Sequence, residues 1–137
     1  MKRILAWFVA CGVSVAPAAL AAPALAHHSF AAQYDADDPV ELEGVITRVE
    51  WKNPHAHFYV DVTGDNGAVA NWDMELASPN MLTRNGWKRD ALKEGDRVRV
   101  AGSRAKDGTP TAATTLITLD DGRQYSFIGV VNDVPDR

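Results

Sequence analysis

The sequence predicts an all-β domain, a small OB-like five-stranded Greek-key barrel with one short helix, preceded by a signal peptide. Three observations predict it. Residues 40–76 hold three strand-like runs separated by turn residues, Ser78 and Pro79 open one short helical stretch, and further strand-like runs follow between residues 97 and 128. Three strands, a helix and two more strands is the order of a small OB-type barrel.

The leader comes first. Lys2 and Arg3 form a basic start, residues 4–15 are apolar, and Ala24, Leu25 and Ala26 make an A-x-A cleavage signature. Gly12, Pro17 and Pro23 interrupt the run before ~18 apolar residues accumulate, so no membrane anchor is expected to remain after cleavage. Residues 1–26 are therefore read as a signal peptide and the protein as periplasmic or secreted. A cut after Ala24 is the alternative, and Phe8, Val9 and Ala10 before Cys11 make a poor lipoprotein signal. Cys11 is the only cysteine and lies in the leader, so the mature chain has no disulfide and no thiolate ligand.

Composition narrows the class. Of the 14 basic residues, Lys2 and Arg3 leave with the leader, so 12 face 18 acidic ones and the mature net charge is −6. Nucleic acid is a poor partner for such a surface. The 111 residues from 27 to 137 suit a single domain with a modest core.

Along the mature chain, residues 27–39 carry Gln33, Asp35, Asp37, Asp38 and Pro39 without a sustained period and read as an N-terminal arm. Residues 40–51 are rich in Val, Ile, Thr and Trp, with Gly44 a bulge or close-approach point. Asn53 and Pro54 mark a turn. The next run is the clearest: Ala56, Phe58, Val60 and Val62 alternate with His55, His57, Tyr59 and Asp61, so the histidines share the polar face. Gly64 to Gly67 signal a hairpin, followed by Ala70, Trp72, Met74 and Leu76 inward and Asn71, Asp73 and Glu75 outward. Matching the two inward faces requires paired residue numbers that sum to 132 or 134, and carboxylates flank the histidines in either register.

Ser78 as N-cap and Pro79 at the first helical position open a helix to about Asn85, which Gly86 stops. Val98 and Val100 point inward from a strand that shows Arg97 and Arg99 to solvent, residues 112–119 form another strand, and residues 124–128 continue after a turn. The barrel is expected over residues 40–128, with 129–137 a C-terminal tail.

Five stretches, 26–30 (AHHSF), 51–56 (WKNPHA), 78–87 (SPNMLTRNGW), 92–98 (LKEGDRV) and 105–108 (AKDG), give the chain a family resemblance. Together they resemble an uncharacterised domain-of-unknown-function family of small exported, periplasmic proteobacterial proteins. The resemblance implies export and fold and assigns no chemistry. Residues 126–137 depart from the family's usual ending.

The chemistry rests on the histidines. All four fall into two pairs, His27/His28 and His55/His57. Cleavage after Ala26 would give His27 a free α-amine beside its imidazole, and the two can chelate one metal. The candidate ligands are His27, His28, His55 and His57, with Glu75 and Asp73 as secondary ligands. A nitrogen-rich set without soft donors points to copper, with zinc or nickel as alternatives. Each residue also admits a plainer role: the first pair as a frayed terminus, His55 as a backbone partner at a strand start, Asp73 and Glu75 as a solvated strand face, and Trp51, Trp72 and Trp87 as core. Met74 points inward and Met81 sits on the helix, so neither joins a thioether site.

Enzyme chemistry finds little footing. Gly102, Ser103 and Arg104 do not make a nucleophile elbow, and residues 106–108 form an ordinary turn rather than a phosphate loop; a histidine-brace copper oxidase is kept as a remote alternative, with no surface for a polymeric substrate evident in the sequence. Two readings stand: a metal-binding protein of copper handling, and an envelope module whose face around Trp51, His57 and Tyr59 holds a small ligand or a protein partner.

Overall fold

The computed structural model describes residues 30–133. Residues 30–33 are helical and lead directly into β1, Tyr34–Glu50. It is followed by β2 (His57–Thr63), β3 (Val69–Glu75), the helix α1 (Pro79–Arg84), β4 (Arg97–Ala105), β5 (Thr111–Leu119), β6 (Gln124–Ser126) and β7 (Val130–Asn132). The protein is predominantly β, and no helix among the described residues is long and apolar enough to cross a membrane.

β1 does most to shape the molecule. Its first part pairs antiparallel with β4, from Tyr34↔Ala105 to Val45↔Arg97, and its last part pairs antiparallel with β2, from Val45↔Asp61 to Glu50↔His57. β1 lies between β2 and β4 and pairs with one along each edge, and glycines let neighbouring strands come close. A Cβ at Gly44 would lie 2.2 Å from the Asp61 carbonyl oxygen, and one at Gly102 would lie 2.5 Å from that of Ala113, so both backbones approach too closely for any side chain. β2 pairs with β3, β4 with β5, and β3 runs parallel to β5 over Asp73↔Thr111, Met74↔Ala112 and Glu75↔Ala113. The pairings thus return to their start in the order β1, β2, β3, β5, β4, while β6 and β7 extend outward from β5.

The alternation read in β2 and β3 holds where the strands cross the core. Ala56, Phe58, Val60, Met74 and Leu76 are buried and the register is His57↔Glu75, the one summing to 132. It fails at Ala70, which is exposed, because the tip of the hairpin projects past the core. Helix α1 is capped as expected: the Ser78 hydroxyl accepts a bond from the Met81 amide at 3.4 Å, and Pro79 stands in the first turn. Its Leu82 is fully buried. Trp87 and Trp72 are buried, and Trp51 packs half-buried against the Trp87 ring at 6.4 Å.

Two boundaries differ from expectation. β1 begins at Tyr34 rather than Val40, since Tyr34 is buried in a small apolar cluster with Ala105 and Ala113 and anchors a stretch that otherwise carries acidic residues. A register shift between Tyr34 and Pro39 absorbs the unpaired acidic residues. In the expected tail, β7 pairs with β6 and Val130 packs on the core, so the described residues hold seven strands where five were expected, two of them only three residues long.

Candidate functional site

The start of β2 and the end of β3 bring four of the six expected site residues together. Backbone bonds continue past the formal strand ends, from the Ala56 amide to the Ala77 carbonyl at 3.1 Å and from the Leu76 amide to the Ala56 carbonyl at 2.8 Å. His55 and His57 are thereby fixed on one face, two residues apart, with Ala56 buried between them. Opposite stand Asp73 and Glu75.

The contacts are diagonal. His57 faces Glu75 in the ladder, yet its Nδ1 lies 2.7 Å from Asp73 Oδ1. The Nδ1 of His55 in turn contacts Glu75 Oε1. Both pairs lean the same way, because the right-handed twist of adjacent strands swings one diagonal neighbour toward each side chain. A carboxylate can only accept, so each Nδ1 carries the hydrogen and each neutral ring keeps its lone pair on Nε2. Two imidazoles are held in one tautomer, with Nε2 the nitrogen not engaged by a carboxylate.

The surroundings of the two pairs differ. Only 10 % of the Glu75 side chain is exposed, against 33 % for Asp73. Glu75 is covered by Tyr34, whose hydroxyl donates to Glu75 Oε2 and accepts a bond from Gln33 Nε2 at 3.1 Å. Burial, then the hydrogen bond to Glu75 and its negative charge, hold the Tyr34 phenol far above its ordinary range. The Asp73 hydrogen bond raises His57 above the ordinary histidine value, against an opposing effect of burial. Asp73 is further fixed by its amide, which donates to the Pro110 carbonyl at 2.9 Å.

His27 and His28 lie outside the described residues. Among the described residues no group of three or more His, Cys, Asp or Glu side chains is placed to hold a metal ion. The carboxylates beside His55 and His57 are turned to the imidazoles. Tyr34 is the participant that pattern reading leaves in the arm. Its signal is local: Phe30 and Tyr34, four apart, put their ring centroids 5.3 Å from each other.

Tyr59, expected on an open binding face, is half-buried, with Arg48 over its ring. The Arg48 guanidinium sits 3.9 Å from its ring centroid, and Arg48 also pairs with Glu50 at 3.1 Å. Hollows occur near the far ends of β4 and β5, where Glu43, Arg99 and Asp120 line one of about 110 Å³. That volume is well below the ~300 Å³ of the smallest usual small-molecule pockets.

A family model described as a family of unknown function (DUF6152) matches residues 16–114. The chain belongs to that family. The matched span of DUF6152 takes in the arm, β1 to β4, α1, the His–carboxylate face and the first residues of β5, and it ends before β6 and β7. No curated protein and no solved structure matches the chain.

Proposed function

We propose that the protein is an exported copper-binding protein of OB type, in which the Nε2 atoms of His55 and His57 take the metal. One observation carries the proposal: both imidazoles on one strand face have their Nδ1 engaged by a carboxylate, His57 by Asp73 at 2.7 Å and His55 by Glu75. A metal-binding histidine almost always donates its other N–H to such an acceptor, which fixes the tautomer and raises the basicity of the ligating nitrogen. Asp73 and Glu75 are then orienting groups rather than ligands. His27 and His28, with the α-amine released by cleavage after Ala26, supply the remaining nitrogens. Copper(II) suits such a set best among the divalent ions of its row, and zinc and nickel are its competitors.

The fold component draws support from the ring of pairings with α1 between β3 and β4, the arrangement of an OB-type Greek-key barrel. The export component draws support from the basic start, apolar stretch and A-x-A signature of residues 1–26. A small-ligand or protein-binding module on the Tyr59 face finds less support, because Arg48 occupies the ring.

Copper titration of the processed protein, its first residue fixed by mass spectrometry, tests the reading. One equivalent should bind at neutral pH, and His55→Ala/His57→Ala should abolish it. An added N-terminal residue should weaken it, and competition with zinc and nickel ranks the metals. Absence of stoichiometric binding, or binding unchanged in the double variant, overturns the proposal.

A further inference from the structure

We infer that Tyr34 is a positioning residue for this site, and that Glu75 couples docking of the N-terminal segment to the orientation of the His55 ring. The inference rests on the metal-binding reading above and adds a regulatory element to it.

Glu75 has two oxygens, and each serves a different neighbour. Oε1 meets His55 Nδ1, while Oε2 accepts from the Tyr34 hydroxyl. With one tenth of its side chain exposed, Glu75 has little water to replace either partner. Its rotamer is therefore set from both sides, and loss of the phenol donor would free the carboxylate to turn away from His55.

Tyr34 in turn belongs to a segment that is docked at several points. The Lys106 amide donates to the Gln33 carbonyl at 2.9 Å, Lys106 Nζ donates to the Ala31 carbonyl at 2.7 Å, and Tyr34 pairs with Ala105 at the end of β4. Phe30, at the start of this segment, is two residues from His28 and three from His27. That is roughly 7–10 Å of extended chain. The segment that orients His55 is thus the one that would deliver the amino-terminal imidazoles. His57 provides an internal control, since its partner Asp73 lies within the same hairpin and has no hydrogen bond to the segment.

Tyr34→Phe in the processed protein tests the coupling, because it removes the hydroxyl and keeps the ring in its apolar cluster. Copper affinity should fall roughly 10–100-fold, the usual effect of losing an outer partner of a metal-binding histidine. The same substitution in a His55→Ala background should cost nothing further. In the metal-free protein, side-chain nitrogen NMR should show His55 losing its Nδ1–H tautomer while His57 keeps it, a selectivity that general loosening of the fold would not give. Lys106→Ala, which loosens the segment without touching Glu75, should give a smaller effect of the same kind and serves if Tyr34→Phe does not fold. Wild-type affinity in both variants, or equal changes at His55 and His57, overturns the inference. A wild type that binds no copper, with the tautomer change still confined to His55, overturns the metal-binding reading and the role in metal binding together, leaving only a structural coupling.

Discussion

The face at the β3–β5 seam and the outer face near the far end of β4 both set carboxylates against basic side chains on alternating strands, histidines in the first and arginines in the second. At the seam, Glu75 is nearly enclosed, meets Tyr34 and His55, and sits beside an Asp73–His57 contact of 2.7 Å. At the far end, Arg97 and Arg99 reach Glu43 at 4.0 and 3.8 Å, and Arg97 reaches Asp120 at 3.6 Å, with more than 60 % of every one of these side chains exposed. What separates them is cover. The N-terminal segment lies over one face and nothing described lies over the other, so carboxylates facing basic side chains become a fixed, directional network in one place and a loose, screened set of charges in the other.

The largest break in this contrast should come from Glu75→Ala. It leaves the Tyr34 hydroxyl without its acceptor in a buried place and His55, which is exposed, without its partner, and should cost about 3 kcal/mol in urea unfolding. Tyr34→Phe leaves Glu75 one partner and should cost about 1 kcal/mol by the same measurement.

A subtler effect lies in pH. His57 titrates above its ordinary value near ~6.5, so the stability it contributes is fully present below ~6.5 and is lost as pH rises through the raised folded value. Wild-type unfolding free energy, measured against Asp73→Asn, should show this extra decline with rising pH just above ~6.5, and it should shrink once the Asp73 charge and hydrogen bond are gone. Copper binding should run the opposite way and weaken as acid protonates His57 through that same window. At the small end, Arg97→Ala should stay within about 0.5 kcal/mol of wild type, and a larger loss would erase the contrast between the faces.

Local pattern made the hairpin legible. Phe58, Val60, Trp72 and Met74 impose the inward face, and their alternation alone restricts the register to two choices, of which His57↔Glu75 is one. The Ser78–Pro79 start of α1 was equally readable, because capping is written within four residues. The cover was not readable. Strict alternation places Glu75 on the solvent side, and only the non-local return of Tyr34 to that face encloses it. The arm hid its strand because residues 35–38 break the register between two buried anchors, Tyr34 and Val40. β7 escaped for a related reason: three residues are too few to show a period.

The double service of β1 sets an order of events during folding. The His57–Asp73 contact closes a separation of 16 residues within one hairpin, whereas Tyr34 must find Glu75 across 41, and Leu42 must find Val100 across the whole β2–β3–α1 excursion. Short loops close first, since the entropy of closure grows with length and distant contacts wait on nearer ones. The hairpin should therefore assemble with His57 already held, and His55 should reach its final orientation only when β4 arrives and carries Tyr34, at the start of β1, into place. The last contact to form would also be the one that readies the site.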